Sequence, residues 1–323
     1  MLPITWADVL AARARLAPHL PPTPLRAYAA LDEEVGGGIR VLVKHDNYQP
    51  TNAFKARNAL SLITALDAGA RARGVIAASR GNHGAALAWA GARLGAPVVI
   101  CVPVGNNPEK NAAIRGHGAE LVESGADYDA ALEVMHRLAA ERGLTIAHST
   151  NNAQVIAGAA TLTAEICEQA GALDAIVVAV GGGSQAVGAI AATRALRPDV
   201  RVYGVQAAGA SAIHDSWHAG ARLTTPRADT FADGLATRAT YDLTFDALRA
   251  GLTGFVAVPD AAIAEAIRML LRTTHNLAEG AGAAGLAGLL ALREQLAGQT
   301  VAIVLSGANL DADTLRRVVT HEL

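Results

Sequence analysis

Lys55 is one of only three lysines among 27 basic residues, and it follows Gln49-Pro50-Thr51-Asn52-Ala53-Phe54 at an apparent strand-to-helix junction. A lysine amine whose pKa is lowered by burial or a neighbouring cation forms a Schiff base with a carbonyl, which a guanidinium does not. The residue type therefore predicts carbonyl chemistry, and a carbonyl cofactor needs a cradle. Gly181-Gly182-Gly183-Ser184 offers one. It follows an apolar run and opens a helix expected over 185–196, so its free backbone amides and the helix dipole suit a phosphate. A tight turn would also use glycine, but three in succession exceed what a turn needs. Gly181, Gly183 and Ala186 also match the dinucleotide pattern. The next strand, however, ends in Gln206 where a ribose-binding acid is expected, which demotes a nicotinamide-dependent oxidoreductase.

Further segments carry polar groups at the ends of expected strands. Ser79-Arg80-Gly81-Asn82-His83-Gly84 lies between the run 74–78 and a helix expected over 85–94, and its amides and side chains suit a substrate carboxylate. Asn82 and His83 capping their own helix is an equal reading of that segment alone. Ser306 closes the last apolar run, where its hydroxyl can face a ring nitrogen. Glu279 reads by itself as a cap of the helix that follows. His214 and His218 have helical i,i+4 spacing but lack the glutamate of a zinc-protease motif, so they read as surface histidines and no metal is expected. Cys101 and Cys167 are unclustered and read as buried thiols.

Composition narrows the class. A chain of 323 residues with 51% hydrophobic and 17% charged residues can bury a core spanning two domains. Net charge is −2 and the arginines are scattered among the acids, so no basic stripe predicts nucleic acid or an anionic membrane. The apolar stretch 281–292 is well short of the ~20 residues that cross a bilayer. The N-terminus, Met1-Leu2-Pro3-Ile4-Thr5-Trp6, lacks the basic and apolar regions of a signal peptide, so a cytoplasmic protein acting on a small molecule is expected.

The elements that position these residues are apolar, β-branched runs alternating with alanine-rich helical stretches. The runs fall at 41–44, 75–78, 98–102, 176–180, 202–205, 255–258 and 301–305. Such alternation predicts an α/β fold with open, mainly parallel sheets flanked by helices. The runs 175–180 and 301–305 are continuously apolar and are expected at the sheet centre. Residues 71–149 hold their own strand-helix series and read as a small domain inserted into a large one of residues 1–70 and 150–323. In such sheets ligands collect at the carboxyl ends of strands, where Ser79, Gly181 and Ser306 all fall.

Lys44 to Arg57, Ser79 to Gly84, Gly181 to Ser184 and Ser306 to Asn309, in this order, resemble the fold-type II pyridoxal-phosphate enzymes of the serine/threonine dehydratase family. The resemblance covers nearly the whole chain and implies the tryptophan synthase β-like pair of twisted sheets. It implies that Lys55 holds pyridoxal 5'-phosphate while Phe54 packs beside the ring and Asn82 meets the ring hydroxyl. Gly181, Gly182, Gly183 and Ser184 would take the phosphate, Ser306 the pyridine nitrogen, and Glu279 a place near the cofactor. Ser79, Arg80, Asn82 and His83 would form the substrate site. The implied reaction is α-proton removal by Lys55 and β-hydroxyl elimination from L-threonine, L-serine or a related 3-hydroxy amino acid. The products are a 2-oxo acid and ammonia. The resemblance also implies a homodimer without a C-terminal regulatory domain, hence without feedback by isoleucine.

Departures from the family pattern bear on the substrate. Asn52, Ala53 and Ser184 stand where glycine or serine is common, a change that backbone amides tolerate. Arg80 stands where related racemases place an acidic serine, so racemisation is expected to be weak or absent. Its guanidinium suits a second carboxylate, which makes 3-hydroxyaspartate an alternative substrate, alongside phenylserine. Gln206 replaces a glutamate that binds a divalent cation in some relatives. The readings from other classes are the nicotinamide enzyme and a cofactor carrier without turnover.

Overall fold

The computed structural model describes residues 1–323. Its strands are β1 (Leu25–Ala27), β2 (Arg40–His45), β3 (Val75–Ala78), β4 (Val98–Val102), β5 (Glu120–Glu123), β6 (Thr145–Ile146), β7 (Ala175–Ala179), β8 (Arg201–Ala207), β9 (Gly254–Val258) and β10 (Thr300–Leu305). Six form a sheet in the order β1-β2-β10-β7-β8-β9, and four form a second sheet in the order β5-β4-β3-β6. Every pairing is parallel except β1 with β2.

The two continuously apolar strands, β7 and β10, lie side by side in the middle of the larger sheet. Side chains alternate between faces along a strand, so a strand covered on both sides must be apolar at every position. Val301, Ile303 and Leu305 enter one core cluster, whereas Ala302 and Val304 enter the cluster on the opposite face. β3 repeats the pattern in the smaller sheet, with Val75 and Ala77 on one side and Ile76 and Ala78 on the other. The apolar stretch tested as a membrane span is the Gly280–Ala291 helix, buried from Gly280 to Leu289. A helix that is apolar all round belongs inside the protein, and no helix here is long and apolar enough to cross a membrane. Cys101 and Cys167 are buried and unpaired.

An ionic cluster that the sequence did not single out pins the helix bearing Lys55. Arg57 bonds Asp46 through Nε at 2.8 Å and Glu165 through Nη1 at 2.5 Å, and Lys44 Nζ reaches Glu165 at 2.6 Å. Lys44 and Asp46 have no exposed surface. Two cations thus balance two carboxylates where β2, the Lys55–Ala65 helix and the Ala153–Gln169 helix meet. Burial alone would raise the Asp46 carboxyl, but the Arg57 guanidinium and the Thr23 hydroxyl hold it below its usual value.

Candidate active site

The strand ends of both sheets converge on a cavity of about 720 Å³. It brings together Phe54, Lys55, Ser79, Arg80, Asn82, His83, Gly181, Gly182, Gly183, Ser184, Glu279 and Ser306, the full set of residues singled out from the sequence. All but Glu279 sit on a segment after a strand or on the first turn of the helix that follows; Glu279 lies on the connection between the Asp260–Thr274 and Gly280–Ala291 helices.

Lys55 opens the Lys55–Ala65 helix. Its Nζ donates to Ser149 O at 3.3 Å and lies 4.8 Å from the Phe54 ring centroid. Burial lowers its pKa to about 8, against an opposing effect from Glu279. An amine that loses its proton there is available as a nucleophile or base near neutrality. The Phe54 amide donates to Ser306 O at 2.8 Å, which ties the lysine to the end of β10.

Three different constraints forbid side chains in the glycine turn. A Cβ at Gly181 would lie 2.1 Å from Gly234 O, one at Gly182 2.1 Å from Thr150 Oγ1, and Gly183 has φ +101. Close neighbours thus explain glycine at the first two positions as strongly as ligand access does. The ligand argument is carried by the amides themselves: those of Gly181, Gly182, Gly183 and Ser184 donate to no acceptor in the chain. They stand at the start of the Ser184–Leu196 helix, where the dipole favours an anion.

The 79–84 segment resolves differently from either reading of its sequence. Gly81 is the N-cap of the Asn82–Leu94 helix, and the Ser79 hydroxyl, two residues earlier, accepts the Gly84 amide at 2.9 Å. Asn82 is left free to turn inward, donating through Nδ2 to Glu279 Oε1 at 2.6 Å and accepting through Oδ1 from Asn309 at 2.7 Å. One Nδ2 hydrogen remains unused. Glu279 occupies the N-cap position of the Gly280–Ala291 helix but makes no side-chain cap bond. Burial instead raises its pKa to about 7, which a carboxyl that merely caps a helix in water does not show. His83 places Nε2 2.8 Å from Ala147 O, so that nitrogen carries the proton. Burial and then Lys55 depress its pKa to about 3 and keep the ring neutral. Arg80 is exposed at the cavity edge, and Ser306 is buried with its Oγ 3.4 Å from Ala281 O.

Several lining residues escaped the sequence reading. The run from His148 to Asn152 carries Ser149, which meets Lys55, and Thr150, which packs on Gly182. His148 Nδ1 accepts the Thr150 and Asn151 amides at 3.0 and 2.8 Å and so fixes that loop. A run of polar residues between β6 and a helix was the available signal. Across the cavity, Lys110 pairs with Asp233, and Arg238 with Asp129 at 2.5 Å. Away from it, the His214 and His218 rings lie 4.5 Å apart. His214 is half-buried where a surface position was expected, because its helix packs on β8 and β9. Gln206 is fully buried with both ends of its amide engaged, which closes the position a ribose-binding acid takes in dinucleotide sites.

These residues fit pyridoxal phosphate: a lysine amine of lowered pKa and a row of unpartnered amides share one cavity. Residues 16–307 match the model of a family described as pyridoxal-phosphate dependent enzymes. The chain is 38% identical over 284 residues to a biosynthetic L-threonine dehydratase of Burkholderia multivorans, covering 86% of this chain but only 56% of that protein. It therefore spans about half the length of that relative. An L-threonine ammonia-lyase of Thermotoga maritima is 35% identical, over 99% of this chain and 79% of its own. An L-threo-3-hydroxyaspartate ammonia-lyase of a Pseudomonas species is 33% identical over 96% of each chain. Among solved structures, maize serine racemase matches with a TM-score of 0.92 at 30% identity, covering 98% of this chain and 97% of that one. Unpartnered glycine amides, a lysine of lowered pKa and these matches converge: the chain belongs to the pyridoxal-phosphate dependent enzymes, in the fold-type II serine/threonine dehydratase family.

Proposed function

We propose that this chain is an ammonia-lyase that converts L-threonine, L-serine or a related 3-hydroxy amino acid to a 2-oxo acid and ammonia. The observation that carries the reading is the Lys55 amine, of lowered pKa, in one cavity with the unpartnered amides of Gly181 to Ser184. Pyridoxal phosphate, when bound, supplies the electron sink that acidifies the substrate Cα–H. The amides of the glycine turn and Ser184 would hold the phosphate. Phe54 would lie beside the cofactor, the unused Asn82 hydrogen would be available to one of its oxygens, and Ser306 would offer it a neutral hydroxyl. Lys55 would carry the cofactor's aldehyde carbon, and as a neutral amine it would be the base for the α-proton. The Ser79 hydroxyl and the backbone amides of Asn82 and His83, which donate to no acceptor in the chain, would hold the substrate carboxylate, and the neutral His83 ring adds no charge to compete with Lys55. Glu279 fixes the orientation of the Asn82 amide.

Residues 71–149 form the small domain of this enzyme, inserted between residues 1–70 and 150–323, a division the two separate sheets support. A homodimer follows from the family resemblance. A cytoplasmic location is supported by two cysteines left unpaired.

Scoring serine, threonine, phenylserine and 3-hydroxyaspartate stereoisomers for 2-oxo acid tests the reaction; release of none from any substrate rejects it. Arg80 favours a second reading, dehydration of a dicarboxylate such as 3-hydroxyaspartate, because its guanidinium lines the cavity and makes no ion pair. Arg80→Ala is then expected to raise KM for 3-hydroxyaspartate by about tenfold or more while leaving threonine little affected. An unchanged preference removes the clamp. The lowered Lys55 pKa gives a pH prediction. The rate at which apo-protein takes up pyridoxal phosphate should rise with pH to a midpoint of about 8, whereas a midpoint at the ordinary 10.5 would contradict the burial argument.

A further inference from the structure

The glycine turn presents its amides to the cavity only if its peptide planes are turned correctly. No peptide bond in the chain is cis, so the carbonyl of one residue and the amide of the next point in opposite directions. Holding a carbonyl therefore aims the following amide. Thr237 Oγ1 donates to Gly181 O at 3.2 Å, Thr244 Oγ1 donates to Gly182 O at 2.9 Å, and the Val187 amide donates to Gly183 O at 2.9 Å. These three bonds aim the amides of Gly182, Gly183 and Ser184, which have no acceptor of their own. The third belongs to the helix itself, but the first two come from side chains more than fifty residues away.

Behind Thr237 stands Gln206, which has no exposed surface and does not line the cavity. Its Nε2 donates to Thr237 Oγ1 at 3.1 Å, and its Oε1 accepts the His214 amide at 3.0 Å. The His214 bond fixes which end of the amide faces Thr237. Because Thr237 accepts from Gln206, its single hydroxyl proton is directed to Gly181.

We propose that Thr237, Thr244 and, through Thr237, Gln206 are positioning residues that aim the loop amides at the cofactor phosphate. This rests on the pyridoxal-phosphate assignment of the cavity. The test titrates apo-protein with pyridoxal 5'-phosphate and, separately, with pyridoxal, which keeps the ring and aldehyde but lacks the phosphate. Thr237→Val and Thr244→Val each remove one hydroxyl and keep a β-branched side chain. Each is expected to lose about tenfold in affinity for pyridoxal phosphate with less than about twofold for pyridoxal. The corresponding Thr→Ser variants should restore the wild-type ratio. Gln206→Leu should give the same phosphate-specific loss without touching the loop, and serves if a threonine variant does not fold. Equal losses for both ligands mean general damage to the pocket and overturn the proposal, as does an unchanged ratio in all three variants. A wild-type chain that fails to prefer the phosphorylated ligand would overturn the phosphate assignment itself, and the proposal with it.

Discussion

Lys55→Ala is expected to lower turnover by about ten-thousand-fold or more and to abolish the near-ultraviolet to visible absorbance band of a lysine-linked pyridoxal phosphate. Two functions fall on this one amine, the covalent link and the α-proton. No neighbour replaces it: His83 is held neutral with its Nε2 at a carbonyl, and Lys110 is paired with Asp233. Spectra of the variant mixed with the cofactor, together with single-turnover 2-oxo acid release, measure both effects. A variant that keeps the band, or stays within about tenfold of wild-type turnover, would remove Lys55 from the chemistry. Because the alanine leaves the glycine turn intact, the variant should still bind pyridoxal phosphate non-covalently.

Asp46→Ala is expected to destabilise the fold by about 3–5 kcal/mol, since it strips Arg57 of one of its two buried carboxylates. Arg57 lies on the first turn of the helix that begins at Lys55, so the loss should reach the site as well. Denaturant midpoints for the variant and the wild type measure it, and a difference below about 1 kcal/mol would show that Glu165 alone satisfies Arg57. The same group sets an acid limit. Its folded pKa lies below the reference 3.8, so its stabilisation is fully present above that value. The contribution is lost as pH falls through the lower, folded value. In Asp46→Ala this part of the acid sensitivity should disappear.

The sequence was legible where one physical requirement determined residue choice over several positions. β3 and β4 coincide with their apolar runs, and β2, β7, β8, β9 and β10 contain or overlap theirs, because covered strands are mostly apolar; the buried exceptions, Lys44 in β2 and Gln206 in β8, are hydrogen-bonded. β1, β5 and β6 were not visible. They are short and are three of the four edge strands, and the Glu120–Glu123 strand keeps both its glutamates exposed, so neither alternation nor continuity marks it. The site divides in the same way. Lysine, glycine and asparagine at strand ends announced themselves by type and place, whereas Thr150, Thr237 and Thr244 are ordinary residues whose role arises from contacts distant in sequence. Glu279 illustrates the limit most clearly. Its place before a helix favours capping, and only the tertiary contact with Asn82, far away in the chain, shows where the carboxyl is directed.

The two thiols have a practical consequence. Burial raises both Cys101 and Cys167 to about 11, so neither forms appreciable thiolate at neutral pH. The native protein should resist alkylation by maleimides and should not need a protective reductant. A cysteine engineered beside the Arg238–Asp129 pair would then be the sole reactive handle, and a fluorophore attached there would report ligand entry without a background to subtract.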